Sequence, residues 1–295
     1  MNIRQALALA RQLGVARLDA QLLLAHALRR ERTWLVAHDD HELAVGDQQW
    51  FEQALARRRD DVPLAYLTGE REFHGMRLLV TPAVLVPRPE TEILVDWALT
   101  LLPAPAAGVA APRVADLGTG SGAIALAVRR SAPWAEVTAV DLSEAALEVA
   151  RENARRLDLD VEFVSGSWWA PLPARDFELV VSNPPYVAGA DAHLQALRHE
   201  PLAALTPGGD GLAAIQSVID GACGHLVAGG WLLLEHGHDQ SEAVQQRLAA
   251  AGFVKCETRC DLAGLPRCTG GRWPGPGDGA QPRSGSSGAA TAVTR

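Results

Sequence analysis

The chain predicts an α/β fold in which a small N-terminal helical bundle and a β-hairpin linker precede a doubly wound sheet. Three observations predict it. Over residues 2–59 apolar residues recur at helical spacing with no strand-like alternation. Between 63 and 89, prolines and glycines punctuate short apolar runs. Beyond 112, apolar runs alternate with amphipathic stretches. Alternation of that kind argues for parallel strands joined by helices that cover both faces of a sheet. A chain of 295 residues is long enough to bury more than one core.

In the helical segment three stripes stand out: Ile3, Leu7 and Ala10; Leu18, Leu22 and Ala25; Trp50, Ala54 and Leu55. Arg57-Arg58-Arg59 is followed at once by Asp60-Asp61. It reads as a solvated helix end whose cations favour the C-terminal dipole. Next, the runs 76–80 and 83–86, separated by Thr81-Pro82, read as a hairpin. The expected division is a helical domain over 1–75, a hairpin linker over 76–89, a sheet domain over 90–273 and a disordered tail over 274–295.

Within the sheet domain a helix is expected over 90–101, followed by a Pro/Ala-rich loop to 112. Strands are expected at 114–117, 137–140, 161–164, 179–182 and 231–234. Helices are expected at 123–130, 144–157, 212–226 and 241–251. The tail is Gly, Ser, Pro and Ala with almost no large apolar residue, too little to offset its ordering entropy.

Composition excludes several classes. A net charge of −8, and a helical segment whose charges nearly balance, argue against unaided binding to a nucleic-acid backbone. No apolar stretch approaches the ~20 residues of a bilayer span. The N-terminus opens an amphipathic pattern and lacks the apolar core of a signal peptide. A cytoplasmic protein without membrane contact, working as a monomer, is expected. Cys223, Cys256, Cys260 and Cys268 form no CxxC pair, and no metal is expected.

Two strand ends carry the chemistry. Asp116-Leu117-Gly118-Thr119-Gly120-Ser121-Gly122 closes one strand and opens a helix. Glycines there let the backbone turn sharply and a ligand approach closely, and the helix start offers free N–H groups. Asp141 ends the next strand, about twenty residues on, where a carboxylate can accept ribose hydroxyls or cap the helix near Glu144. A dinucleotide fits less well: the third glycine comes one residue early for G-x-G-x-x-G, and Asp116 would repel a pyrophosphate while attracting a sulfonium or an amino group.

The second end is Asn183-Pro184-Pro185-Tyr186. Two prolines lock φ and remove two backbone donors. Asn183 supplies a side-chain acceptor and Tyr186 a flat face for a planar amide or base. An incoming –NH2 group could donate to Asn183 and to the Pro184 carbonyl, aiming its lone pair at a methyl carbon. A delocalised amide nitrogen is a poor nucleophile, so orientation and polarisation by fixed acceptors are the available remedies. The pair of motifs points to methyl transfer from S-adenosylmethionine to nitrogen. Trp168 or Trp169, at a third strand end, could cover the adenine face. His74, His193 and His236 have no partner spacing and are read as structural or surface residues.

The ordered set resembles the release factor glutamine methyltransferases, the HemK/PrmC family, over nearly the whole chain to about Trp273. Matching pieces include Pro63 to Gly69, Pro87-Arg88-Pro89-Glu90-Thr91-Glu92, Asp116 to Gly122, Ser182 to Tyr186, Glu200 to Leu205, and Leu233-Leu234-Glu235-His236-Gly237. The resemblance implies a Rossmann-like methyltransferase domain with S-adenosyl-L-methionine held by Gly118, Thr119, Gly120, Ser121, Gly122, Asp141, Trp168 and Asn183. It implies a substrate glutamine, from the Gly-Gly-Gln loop of peptide chain release factors, held by Asn183, Pro184, Pro185 and Tyr186. The helical domain would help to dock the release factor. Ser167 departs from the acid that often precedes the tryptophan, and the low-complexity tail is not part of the pattern. The competing readings are a ribosomal-protein glutamine methyltransferase, a nucleic-acid amino-methyltransferase, and a donor-binding adaptor without activity.

Overall fold

The computed structural model describes residues 1–102, 108, 110–172 and 177–275. Residues 103–107 and 109 of the expected loop, and 276–295 of the expected tail, lie outside the described residues.

The N-terminal unit contains α1 (Ile3–Gln12), α2 (Arg17–Leu28), α3 (Arg32–Ala37), α4 (Val45–Arg59) and α5 (Leu64–Thr68). Helix α1 starts at a capping box in which Asn2 and Gln5 bond each other's backbone N–H. Its buried face is Ile3, Ala6 and Ala10, while α2 buries Ala20, Leu23 and Leu24 and α4 buries Phe51, Ala54 and Leu55. Two stripes match the expected ones only in part: Ala25, Ala54 and Leu55 are buried, but Leu18 is exposed, Leu22 is half-buried, and Phe51 rather than Trp50 fills the centre. The Leu22-Leu23-Leu24 run satisfies more than one helical register, and only packing chooses. Full burial of a side chain such as Phe51 is worth roughly 2–3 kcal/mol.

The hairpin is shifted from its expected place. Strand β1 (Glu70–Phe73) pairs antiparallel with β2 (Met76–Leu79), Phe73 opposite Met76, around a His74-Gly75 turn. The run 83–86 is not a strand. Glu70-Arg71-Glu72 is too polar to signal a strand, whereas the apolar 83–86 run is flanked by Pro82 and Pro87, which cannot donate to a ladder. Val80, Val84 and Val86 pack into the helical core together with Ala146 and Val149 of the sheet domain.

A short 3-10 turn (Pro89–Thr91) leads into α6 (Glu92–Leu101). Then follow β3 (Arg113–Leu117), α7 (Ala123–Ser131), β4 (Glu136–Asp141), α8 (Glu144–Leu157), β5 (Glu162–Ser165) and β6 (Phe177–Ser182). Helices α9 (His193–Ala196), α10 (Leu202–Leu205) and α11 (Ala213–Ala222) precede β7 (Leu226–Glu235), α12 (Ser241–Ala250), β8 (Val254–Cys260) and β9 (Pro266–Arg272). The sheet order is β5-β4-β3-β6-β7-β9-β8, with the first five strands parallel and β9 antiparallel to both neighbours. It is the doubly wound α/β fold with an antiparallel edge that the sequence did not announce. Strand β8 is mostly exposed and largely polar, so its pattern carries no apolar alternation.

Period-two alternation divides the sheet's side chains. Val114, Leu179, Val181 and Leu233 face α6 and α7, while Ala115, Leu117, Val180, Leu232 and Leu234 face α11 and α12. Strand β3 lies between β4 and β6, so chain order reverses there and the carboxyl ends splay around a crevice.

Candidate active site

A cavity of about 350 Å³ opens at those carboxyl ends. The glycine loop forms one wall. Gly118 and Thr119 donate their N–H groups to the Val140 carbonyl at 2.8 and 3.0 Å, bending the loop onto β4. Gly118 and Gly122 have φ of 77° and 82°, the left-handed region that favours glycine. A Cβ on Gly122 would also lie 3.1 Å from Leu126 and 3.2 Å from Ala150, so this residue lets α7 and α8 approach.

Asp141 ends β4 with its carboxylate at the cavity. Its Oδ2 accepts from Gly120 N–H at 2.8 Å and its Oδ1 from Ser143 N–H at 2.8 Å. Each oxygen keeps a further lone pair. The cap of α8 is Ser143, which accepts from Ala146 N–H, so Asp141 fixes the loop rather than capping the helix directly. Burial pushes the Asp141 carboxyl upward against the lowering effect of its backbone donors.

Asp116 corrects one expectation. It is fully buried, and its Oδ2 accepts from Thr119 Oγ1 at 2.6 Å and Ala125 N–H at 3.2 Å. Burial pushes its pKa up to about 7, with Asp141 adding a little. It does not line the cavity, where the expected attraction to a cationic ligand would place it: it fastens the loop to α7.

The other wall comes from β6 and from remote segments. Ser182 Oγ donates to the Leu117 carbonyl at 2.6 Å, locking the end of β6 to the start of the glycine loop. Asn183 lines the cavity, and its Nδ2 donates to Thr91 Oγ1 at 3.2 Å. That bond orients the amide with Oδ1 as the remaining acceptor. Pro185 also lines the cavity, whereas Pro184 is buried and outside the lining. Tyr186 is outside it too: its hydroxyl donates to Glu235 Oε1 at 3.2 Å and its carbonyl accepts from Gln240 Nε2 at 3.0 Å.

The two tryptophans separate. Trp168 lines the cavity with a left-handed backbone (φ 46°) and its ring stands against Gly118, 3.4 Å from where a Cβ would be. Trp169 is buried, donates Nε1–H to the Val218 carbonyl at 3.0 Å and stacks on His225. Ser167 also lines the cavity.

Several residues that hold the site escaped the residue-by-residue reading. Arg88, on the cavity, pairs with buried Glu200 at 2.5 Å, and Glu200 also accepts from Val86 N–H at 3.0 Å. This ties the Pro-Arg-Pro segment to the Glu200-Pro201 turn. Asn153 of α8 donates to Ser121 O at 2.9 Å and exchanges two bonds with Leu79, joining the hairpin to the glycine loop. Only the quoted motifs signalled Arg88, Thr91, Glu200 and Glu235; for Asn153 there was no signal.

A second cavity, of about 990 Å³, opens on the helical unit and is lined by Arg29, Arg30, Arg32, Arg77 and Trp34, with Glu31 among them. The Arg30 guanidinium lies 5.3 Å from the Trp34 ring centroid. The helical segment therefore does gather cations and an aromatic on one face, although its total charge nearly balances.

The donor-side fit is favourable for a nucleoside sulfonium. The cavity falls within the ~300–1,000 Å³ of small-molecule sites. The missing Cβ of Gly120 leaves open space, and Asp141 offers paired acceptors. Comparison with known proteins agrees. The PrmC N-terminal domain family matches residues 2–69 and the Methyltransferase small domain family residues 95–217. A release factor glutamine methyltransferase of Bordetella pertussis is 50% identical over 88% of this chain and 95% of its own length. One of Escherichia coli is 41% identical over 92% and 97% respectively. Among solved structures, a methyltransferase from Pyrococcus furiosus superposes with a TM-score of 0.52 at 20% identity, over 68% of this chain and 90% of that one, a likeness of fold. Identity at this level, spread over both family-matched regions, means that the chain belongs to the release factor glutamine methyltransferase family.

Proposed function

We propose that the chain methylates the side-chain amide nitrogen, N5, of the glutamine in the Gly-Gly-Gln motif of peptide chain release factors, with S-adenosyl-L-methionine as methyl donor. The observation that carries this reading is the Asn183 amide at the cavity wall, pinned by Thr91 so that an acceptor oxygen remains beside the glycine loop. When bound, the donor supplies an electrophilic methyl carbon on a cationic sulfur. Gly120 and Asp141 would hold its nucleoside and Trp168 its base.

The chain's own groups do the rest. Asn183 accepts one amide hydrogen of the glutamine, which draws electron density onto nitrogen and fixes its direction. Pro185 excludes water from that corner. No general base is required, because the proton leaves after nitrogen has become cationic. The cationic groove on the helical unit supports docking of a negatively charged face of the release factor. The family match disfavours ribosomal-protein and nucleic-acid substrates. No helix among the described residues is long and apolar enough to cross a membrane.

Incubation with labelled donor and unmodified release factor is expected to label the Gly-Gly-Gln glutamine. Label that persists after this glutamine is changed to asparagine would refute the assignment.

A further inference from the structure

The face that Asn183 shows to a substrate is not decided by Asn183 alone. Thr91 Oγ1 accepts from its Nδ2, and Thr91 is 4% exposed although it borders the cavity, which favours a protein acceptor for its own hydroxyl hydrogen. The Glu235 carboxyl interacts with that hydroxyl. Glu235 ends β7 and is 1% exposed. Its Oε1 receives the Tyr186 hydroxyl, while Oε2 has no partner of full hydrogen-bond geometry. One buried glutamate thus bonds Tyr186 directly and neighbours Thr91, the residue that holds Asn183.

We propose that Glu235 is a positioning residue that sets the polarity of this relay, and so decides whether Asn183 presents an oxygen or an NH2 group to the substrate. The proposal rests on the glutamine-methylation reading. An ionised carboxyl can only accept. It takes the hydrogens of Tyr186 and Thr91, leaves Thr91 Oγ1 to accept from Asn183 Nδ2, and turns Asn183 Oδ1 towards an incoming amide N–H. A protonated carboxyl reverses the chain. It donates to Thr91 Oγ1, the Thr91 hydrogen swings to Asn183 Oδ1, and the amide rotates to show a donor to a donor.

Burial pushes the Glu235 pKa up to about 7, so both states are accessible near neutrality. The charged and titratable groups facing it are Glu90 before α6, Tyr186 after β6, and Arg267 and Cys268 on β9. Glu90 raises its pKa and Arg267 lowers it. His236, just after β7, is occupied by Thr269 Oγ1 at 2.7 Å and the Gly237 carbonyl at 2.8 Å.

The test measures kcat on intact release factor against pH, through the neutral range, for the wild type, E235Q, T91V, T91S and E235Q/T91V. Wild-type kcat is expected to rise with pH as Glu235 ionises. E235Q mimics the protonated state: its profile is flat and its kcat roughly 10²-fold lower at the alkaline end, the scale of a misaligned reacting group. T91V falls to the same level, the double variant falls no further, and T91S restores both rate and pH rise. Binding of S-adenosylhomocysteine, measured by calorimetry, stays near wild type throughout. A second readout is thermal unfolding, whose midpoint falls as pH rises through the Glu235 titration less in E235Q than in the wild type.

E235Q with wild-type kcat and pH profile, or losses in E235Q and T91V that multiply, would overturn the proposal. Should E235Q fail to fold, the T91V and T91S pair decides: T91S must keep the pH rise and T91V must lose it. A wild type that leaves the release factor unlabelled sinks the glutamine reading and this proposal with it, whereas an active wild type with unaffected variants sinks the relay alone.

Discussion

The two walls of the cavity are held together differently. On the donor side the bonds run mainly between adjacent strand ends, Gly118 and Thr119 N–H to Val140 O and Gly120 N–H to the Asp141 carboxylate, with Asn153 of α8 reaching Ser121 O. On the acceptor side they join side chains far apart in sequence. Asn183 meets Thr91 across 92 positions, Tyr186 meets Glu235 across 49, and Arg88 meets Glu200 across 112. A donor site of the first kind comes with the sheet itself, because the register of β3 against β4 places Asp141 beside the loop. A clamp of the second kind depends on four separate segments arriving together, and a substitution far along the chain can unsettle it.

Separate construction predicts separable losses. Asn183→Ala is expected to cut methyl transfer by about 10²–10³-fold, the scale of losing one preorganised polar group at a reacting centre. Donor affinity, measured by calorimetry, stays nearly unchanged. Asp141→Ala is expected to do the opposite: donor affinity falls by roughly 10-fold or more, as for a lost charged hydrogen-bond partner. Much of its turnover returns at saturating donor. If both variants lost donor binding equally, the two walls would be one unit and the contrast would fail.

The smallest effect concerns stability and the buried carboxyl under the donor wall. Asp116 has a folded pKa of about 7 against an ordinary 3.8, so between those values the native state binds the extra proton. Its contribution is complete below the lower value and is lost as pH rises through the upper one, at about 1 kcal/mol per pH unit. Denaturant unfolding followed against pH should therefore show stability declining towards neutrality, with a shallower decline in Asp116→Asn. Equal slopes in the two proteins would mean that Asp116 is ionised in the native state.

Much of this was legible in advance, and the limits have physical causes. The glycine loop, the acid at Asp141 and the clamp were readable because each is a short run whose chemistry is written in its own residue types. Helix α8 fell on its expected bounds because Ser143 caps it and its apolar stripe is unambiguous. The hairpin and β8 were misplaced or missed because their residues are polar, and pairing rather than pattern makes them strands. Asn153 gave no signal because a lone asparagine inside a helix is ordinary until Leu79 and Ser121 are seen beside it. The cationic groove was hidden by averaging: Arg29, Arg30 and Arg32 are offset in sequence by acids that fold elsewhere, such as Asp19, which pairs with Arg58.

By itself, the sequence determined the alternation of the parallel strands with their helices, the helical character of the N-terminal segment and the chemical types at each strand end. Those follow from local periodicity, proline and glycine conformation, and the donors and acceptors each side chain carries. Tertiary structure alone decided which way the Asn183 amide faces, that Asp116 serves the loop rather than the ligand, and that Glu235 sits behind the clamp. Orientation and ionisation are set by burial and by neighbours brought from distant parts of the chain, and no window of residues contains them.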